Sequence, residues 1–212
     1  HGSALNTGLS RAKGKYFYTV DGDDWLEVGA LGKVIDAMKR VTDGGEDIDL
    51  FIVNYRYNQL DENKNHVVHY RNALPQEKPF QWKDTKSFSP FQFISLHSTI
   101  HKTSILRETG ILLPEHTFYV DNIFVYNTLP AFKNLYYIDA NLYQYFIGRE
   151  DQSVSYKSMI NRIDQHVKVI KIMMEAYHLE EIEDKKLRKY MYSYLGAVYA
   201  VVNAFLTISE KK

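Results

Sequence analysis

Three carboxylates lie within four residues near the beginning of the chain, where Asp21, Asp23 and Asp24 surround Gly22. Like charges this close repel one another, and a hard divalent cation with oxygen ligands relieves the repulsion. Such a cation, bound by an Asp-x-Asp sequence, can also bind the oxygens of a diphosphate. The spacing of these residues therefore predicts a site for a divalent metal and a diphosphate group.

The same residues also fit a turn that binds no ligand. In this alternative Asp23 or Asp24 is the N-cap of the following helix, and Gly22 adopts a left-handed conformation. These residues by themselves leave both interpretations open. A calcium-binding loop is a poor fit, because residues 21–32 lack the later oxygen ligands and have Leu26 where such a loop needs glycine.

The segments on either side of the turn predict a strand and a helix. Residues 16–20 are aromatic or β-branched and indicate a short buried strand. Apolar residues recur at helical spacing through residues 25–41. The carboxylates would therefore lie at the carboxyl end of a strand, where open α/β sheets bind their ligands.

The remaining sequence up to about residue 156 predicts further strands and helices of an α/β domain. We expect a tight antiparallel turn at Ala140 and Asn141, between the last two strands. Further strands are predicted over residues 49–56, 98–102, 135–139 and 142–147, helices over residues 1–14, 104–109 and 118–129, and a hairpin around residues 61–65.

From Ser158 the apolar period is helical to the end of the chain. A second helix is predicted over residues 184–209, and it carries no charge between Tyr190 and Ile208. Its tyrosines make it polar for a membrane span, so we expect it to pack on the domain rather than lie on a membrane surface. The helix that precedes it in this C-terminal segment has an apolar stripe of Ile160, Ile163, Val167, Ile170 and Met174.

The composition limits the classes of function. The 212 residues include 26 basic and 26 acidic side chains, so the net charge is zero, which argues against a nucleic-acid-binding protein. The chain has no cysteine, which excludes disulfides, thiolate metal sites and a cysteine nucleophile.

The region around the carboxylates resembles the centre of a family 2 glycosyltransferase. In that family a helix of the type Arg-Asn-x-Gly-Leu, ending in Ala-x-Gly-x-Tyr, leads into Asp-x-Asp; residues 6–17 match it, although Leu5 stands where the family often has Arg. Residues 118–122 stand in the place of the family's Glu-Asp element. Tyr-Gln-Tyr at residues 143–145 and Ser-Val-Ser at residues 153–155 are similar to its final motifs, so the resemblance covers about residues 4–156.

The resemblance implies a GT-A fold, which joins a nucleotide-binding α/β sheet to a smaller acceptor-binding part. Enzymes of this family transfer a sugar from a nucleotide-diphosphate donor to an acceptor hydroxyl, with inversion at the anomeric carbon. The leaving diphosphate needs its charge neutralised by Mg²⁺ or Mn²⁺, and the acceptor hydroxyl needs a carboxylate base.

The family motifs assign roles to five residues. Asp21 would approach the ribose of the donor or the metal, Asp23 would bind the metal, and Asp24 would support the turn within the donor site. Asp121 would be the catalytic base. Arg149 could reach the diphosphate from a loop, since Arg binds phosphate through two parallel hydrogen bonds, although a solvated charge fits it equally well.

Other candidates are weaker. Val120 stands where the family has Glu, which removes a neighbour that could raise the pKa of the base. His97 and His101 have the spacing of a helical zinc pair, but their segment is predicted to be extended and a third ligand is lacking. We expect one of them to line the acceptor site instead. Trp82 and Phe91 could stack on a sugar, although packing in the core or a lid is the stronger expectation for both.

The resemblance begins midway through the family's fold, without the first strands that bind the nucleobase. We therefore divide the chain into residues 1–156, the later part of a GT-A domain, and a helical extension over residues 157–212. Without those first strands, one edge of the sheet would be open. We therefore expect weak or no activity from this chain by itself. We also expect a homo-oligomer that covers the open edge.

The likeness is nearest to bacterial enzymes that build cell-surface polysaccharide. It implies a UDP-sugar donor and a carbohydrate or lipid-linked acceptor, used in the cytoplasm at the inner face of the membrane with peripheral membrane contact. Two rivals remain. One is a dehalogenase-type phosphatase that uses the first aspartate of Asp-x-Asp as nucleophile, and the other is a sugar- or nucleotide-binding module without turnover.

Overall fold

The structure, a computed structural model, describes residues 1–59, 65–148, 152 and 155–209. Within these residues seven strands form one mixed sheet with helices on both faces, which confirms the predicted α/β class. The strands are β1 (Tyr16–Phe17), β2 (Trp25–Leu26), β3 (Leu50–Gln59), β4 (His66–Val68), β5 (Pro79–Phe80), β6 (Thr99–Lys102) and β7 (Leu135–Ile147). The helices are α1 (Gly2–Arg11), α2 (Val28–Asp43), α3 (Thr103–Glu108), α4 (Val120–Thr128), α5 (Tyr156–Asn161), α6 (Ile163–Glu175) and α7 (Lys185–Ser209).

The strand order across the sheet is β1-β6-β3-β7-β2, with β4 paired to β3 and β5 paired to β7. All neighbours are antiparallel except the central pair β3 and β7. Within the described residues β1 pairs only with β6, so its outer side forms one edge of the sheet. The turn that contains Asp21, Asp23 and Asp24, here called the carboxylate turn, connects β1 to β2. It therefore crosses from one edge of the sheet to the other.

The central strand β3 separates two hydrophobic cores. Leu50 and Ile52 face the core that α1, α3, α4, α6 and α7 cover, whereas Phe51 and Val53 face the core beneath α2. All four side chains are fully buried. The alternation follows from the two-residue period of a strand, and burial on both faces explains why residues 50–53 are all apolar.

Two predictions beside the carboxylate turn are wrong. The expected buried strand over residues 16–20 is only the two-residue edge strand β1, whose side chains are half-buried. The following helix begins at Val28 rather than at Trp25, because Trp25 and Leu26 pair with β7 as β2. Strand pairing therefore overrides the helical spacing of these two residues.

The turn also differs from the alternative in which it binds no ligand. The N-cap of α2 is Glu27, whose carboxylate accepts hydrogen bonds from the backbone amides of the first helical turn. Neither Asp23 nor Asp24 occupies that position, and Gly22 is not among the glycines with positive φ. The three carboxylates are therefore not accounted for by helix capping.

The expected tight turn at Ala140 and Asn141 is also wrong. Residues Leu135–Ile147 form one continuous strand, parallel to β3, with register irregularities opposite Asn54. The side-chain amide of Asn54 donates to Asp139 at 2.7 Å and to Asn141 at 3.1 Å. These hydrogen bonds stabilise an irregular strand where the sequence suggests a reversal.

Most other elements lie where they are predicted. β3 and β4 pair antiparallel as the two arms of the expected hairpin, while its tip at residues 60–64 lies outside the described residues. α3 ends before Gly110, which has a φ of 65°. In the C-terminal part, the buried face of α6 contains His166, Val169, Ile170 and Met173, so the predicted stripe is displaced by one residue at both Val167 and Met174.

Candidate active site

The carboxylate turn is tied to the last strand of the sheet through Asp24. One oxygen of its carboxylate accepts a hydrogen bond from the hydroxyl of Tyr143 at 2.6 Å, and the other accepts one from the amide of Phe146 at 2.8 Å. The amide of Asp24 donates to the carbonyl of Asp21 at 3.1 Å, which closes the turn. Because both of its carboxylate oxygens accept hydrogen bonds within the protein, Asp24 positions the turn.

Asp21 lies at the inner side of the turn and is half-buried. Its amide donates to the hydroxyl oxygen of Tyr143 at 3.2 Å, so the same tyrosine contacts both ends of the turn. Burial raises the pKa of Asp21, the positive charge of His97 opposes this shift, and repulsion from Asp23 adds to it. A carboxylate in this state gains from any cation that approaches it.

Asp23 is exposed at the tip of the turn. Among the described residues, no group of three or more His, Asp or Glu side chains is arranged to hold a metal. A cation at this turn would therefore have at most two carboxylate ligands from the protein and complete its coordination with water or a diphosphate. Mg²⁺ is commonly bound in this way, so Asp21 and Asp23 fit a metal that arrives with its substrate.

Asp121 enters the same site from the first turn of α4. The N-cap of this helix, Tyr119, has a φ of 63°, and its left-handed conformation turns the chain into the helix. Burial raises the pKa of Asp121, and repulsion from Asp21 adds to the shift, while His97 and the amide of Asn122 lower the pKa. The two carboxylates, far apart in sequence, thus share one electrostatic environment.

His97 is the group that both carboxylates share. It lies in a short 3-10 helix, Leu96–Ser98, that precedes β6. Its ring stacks on Tyr143 with 4.5 Å between centroids and packs against Tyr145 at 4.8 Å. Its backbone carbonyl accepts a hydrogen bond of 2.7 Å from the hydroxyl of Tyr18. The ring is therefore fixed against the same tyrosine that ties the carboxylate turn to β7.

The aromatic wall of the site has roles that sequence reasoning missed. Tyr143 and Tyr145 are two residues apart in β7 and therefore lie on one face of the strand, a spacing that is visible in the sequence. Burial raises the pKa of Tyr18, Tyr143 and Tyr145, so their hydroxyls stay protonated at neutral pH. Tyr18 donates its proton to the carbonyl of His97, and Tyr143 donates its proton to the carboxylate of Asp24.

The other candidate residues from the sequence lie in different environments. His101 is 2% exposed and its ring packs against Phe124 and Phe132, so it belongs to the core and does not pair with His97 on a helix. Trp82 is also buried and donates from its indole to a backbone carbonyl, which leaves it unavailable for sugar stacking. Phe91 is 75% exposed. Arg149 lies outside the described residues.

Comparison with protein families supplies an independent observation. The sequence profile of glycosyl transferase family 2 matches residues 1–105. This part of the chain belongs to glycosyl transferase family 2. The matched segment of this family 2 domain contains the carboxylate turn and His97, whereas Asp121 and β7 follow it in the chain. No curated protein sequence matches the chain.

Solved structures show the same fold. The crystal structure of S. aureus TarS 1-349 is 14% identical, has a TM-score of 0.51, and is matched over 99% of this chain and 69% of that one. The complex of S. aureus TarS 1-349 with UDP is 15% identical, with a TM-score of 0.49, over 96% of this chain and 62% of that one. The chain thus spans 62% and 69% of these structures. The family 2 domain has a GT-A-like fold.

Proposed function

We propose that this family 2 domain transfers a sugar from a nucleotide-diphosphate donor to an acceptor hydroxyl. The observation that carries the proposal is that the carboxylate turn and His97 meet at Tyr143, while Asp121 at the start of α4 is near enough for Asp21 and His97 to act on its pKa. Asp21 would lie on the donor side of such a site and Asp121 on the acceptor side. Displacement of a diphosphate from a sugar uses a cation site and a separate base in this way.

On the donor side, Asp21 and Asp23 would hold a Mg²⁺ or Mn²⁺ ion together with the diphosphate. The bound metal would supply positive charge to the leaving diphosphate. Asp24 keeps the turn in place through Tyr143 and Phe146 and is therefore a positioning residue. We propose a UDP-sugar as the donor.

On the acceptor side, Asp121 would accept the proton of the acceptor hydroxyl. The hydroxyl oxygen forms its bond to the anomeric carbon as the bond from that carbon to the diphosphate oxygen breaks, which inverts the configuration. Burial and the repulsion from Asp21 favour proton uptake by Asp121, because both raise its pKa. The amide of Asn122 and the charge of His97 act in the opposite direction and favour the ionised form of Asp121, which a base requires.

The acceptor class that we propose is a carbohydrate, free or lipid-linked, in bacterial cell-surface polysaccharide synthesis at the inner face of the membrane. The family assignment disfavours the phosphatase alternative. Rapid hydrolysis of an aryl phosphate by the purified chain would revive it.

Titration calorimetry with UDP, in the presence and absence of Mn²⁺, tests the donor side. We expect metal-dependent binding that Asp23→Ala abolishes. Asp36→Ala removes an exposed carboxylate on α2 and serves as the matched control, which should bind as the wild type does. Equal binding by Asp23→Ala and the wild type would place the metal elsewhere. If neither protein binds UDP, the same titration on a chain with additional upstream sequence would show whether the donor site needs that segment.

A second candidate function is binding of a nucleotide-sugar without turnover. Asp121 lies beyond the segment that matches the family, and Val120 stands beside it where the family has Glu. Binding of donor and metal without transfer, in this chain and in a longer one, would favour this function over catalysis.

A further inference from the structure

A groove of about 430 Å³ runs between the beginning of α7 and the loop over residues 85–93. Its floor and walls are largely apolar. Phe88, Pro90 and Phe91 line it from the loop, and Tyr190, Ala197 and Ala200 line it from α7. Phe91 has a φ of 58° and presents a mostly exposed ring at the rim. The ring of Phe91 extends the apolar lining of the groove, and contiguous exposed apolar surface of this kind is typical of interaction sites.

The charged side chains that line this groove have one sign. Of the described residues that line it, Lys86, Lys186 and Lys189 are charged and none is acidic. Acidic residues lie beside it at the start of α7, where Asp184 accepts hydrogen bonds from the amides of Lys186 and Leu187. The positive charge is therefore confined to the lining of the groove, where it complements a negatively charged partner.

Beyond the groove, α7 presents apolar side chains to solvent. It has no charged residue from Tyr190 to Ser209, and the share of its most apolar 18-residue window that is buried is 17%. Tyr199 is 53% exposed and Val201 is 39% exposed. Among the described helices, α7 is long and apolar enough to cross a membrane by length and composition.

The contacts of α7 argue against a crossing. The hydroxyl of Tyr190 accepts a hydrogen bond of 2.8 Å from the amide of Ile94, and that of Tyr194 donates to Asn122 at 3.2 Å. Both tyrosines are buried in the domain. These contacts hold the beginning of α7 on the domain, and the described residues that follow Tyr194 extend along the protein surface, where they can lie on a membrane.

We propose that this groove and the exposed side of α7 dock on the surface of a membrane that contains anionic phospholipids. The three lysines would contact headgroup phosphates, while Phe91 and Tyr199 would enter the interfacial region, where aromatic side chains are favoured. A basic end followed by an uncharged apolar face is the pattern of a helix that lies in this interface.

The docking surface adjoins the candidate active site. The hydroxyl of Tyr194 donates a hydrogen bond to Asn122, the neighbour of Asp121. Tyr190, which lines the groove, lies one helical turn before Tyr194, about 6 Å along the helix axis. A membrane bound at the groove would therefore lie near the acceptor side of the site. The docking itself does not depend on the proposed function and is tested without a substrate.

Vesicle co-sedimentation of the full chain tests the docking. We expect binding to vesicles of phosphatidylcholine with phosphatidylglycerol, weak binding to phosphatidylcholine alone, and release at high salt. The double variant Lys186→Glu with Lys189→Glu should bind anionic vesicles at least about tenfold more weakly. The double variant Lys33→Glu with Lys39→Glu makes the same charge change on α2 and should bind as the wild type does.

A second variant separates the apolar contribution from the charges. Phe91→Asn keeps a residue that tolerates positive φ and removes the exposed ring, so the fold should be kept and vesicle binding reduced severalfold. Circular dichroism checks that all variants fold. Absent binding, equal binding to neutral and anionic vesicles, or equal losses in the α2 control would overturn the proposal. A dimer in sedimentation analysis that Phe91→Asn dissociates would assign the surface to a second copy instead.

Discussion

Tyr143 joins the two ends of the carboxylate turn: its hydroxyl donates to the carboxylate of Asp24 at 2.6 Å and accepts from the amide of Asp21 at 3.2 Å. One buried side chain of β7 thereby fixes the conformation of a turn more than a hundred residues earlier in the chain. His97 stacks on the same ring at 4.5 Å. The carboxylate turn and the aromatic wall of the site thus meet at one residue.

We expect Tyr143→Phe to lower the free energy of unfolding by about 1–3 kcal/mol, because the amide and carboxylate that contact the hydroxyl lose their partner in a buried place. Denaturation in urea measures this. The same variant should bind UDP and Mn²⁺ more weakly, since the turn loses its restraint. Tyr156→Phe removes a hydroxyl from an exposed tyrosine and is the control. Unchanged stability and unchanged binding would show that the turn does not depend on Tyr143.

We expect Asp121→Asn to abolish transfer while it stabilises the fold by about 0.5–2 kcal/mol near neutral pH. The folded pKa of Asp121 is raised above its ordinary value of 3.8, so the folded state holds this proton more tightly than the unfolded chain does. Between these two pKa values, stability falls as the pH rises. The advantage of the variant should therefore shrink as the pH is lowered through that window.

Urea denaturation at several pH values measures this difference. Asp164→Asn, at an exposed position in α6, is the control and should leave the pH dependence unchanged. A destabilised Asp121→Asn protein at neutral pH would indicate that Asp121 contributes to the fold chiefly through its contacts with the helix amides.

The buried His101 should make the fold sensitive to acid. Burial lowers its pKa from 6.5 to about 3, so the unfolded chain takes up a proton in this range that the folded state does not. Stability is therefore retained above pH 6.5 and lost as the pH falls toward 3, by up to about 4 kcal/mol. His101→Gln, which cannot titrate, should show a smaller loss on acidification.

The exposed His178→Gln variant provides the comparison, because its pH dependence should equal that of the wild type. Equal acid sensitivity of the His101→Gln protein and the wild type would assign the loss to other groups, among them His166, whose pKa burial lowers to about 4.

We expect Asn54→Leu to destabilise the protein by about 2–4 kcal/mol. Asn54 is fully buried, donates to Asp139 and Asn141, and accepts a hydrogen bond of 2.7 Å from the hydroxyl of Tyr137. Leucine has a similar volume but leaves these polar groups without a partner. Thermal denaturation measures the change, and Asn161→Leu at an exposed position is the control. A loss below about 0.5 kcal/mol would show that the irregular pairing of β3 and β7 does not need Asn54.

The irregular pairing at Asn54 also marks where sequence reasoning failed. Ala140 and Asn141 are residue types that favour turns, but the hydrogen bonds from Asn54 in a neighbouring strand hold them in an extended chain. Likewise, Trp25 and Leu26 continue an apolar pattern of helical spacing, and only the pairing with β7 makes them a strand. Local preference is worth less than the hydrogen bonds and burial that a distant segment supplies.

The sequence by itself determined the elements whose signals are local. The fully apolar run of β3, the glycine that follows α3 and the acidic turn at Asp21, Asp23 and Asp24 are all evident without a partner segment. The family 2 motifs are local as well, since they are short runs of fixed spacing. These features sufficed for the fold class, and they select the turn that we propose as the donor site.

Only the tertiary structure decided which side chains meet. It brings His97 rather than His101 beside the carboxylates, puts Tyr143 under the turn, and places Trp82 in the core. It also leaves most of the uncharged face of α7 exposed while the beginning of the helix is buried. These outcomes depend on strand order and on packing between segments far apart in sequence, and no local pattern contains that information.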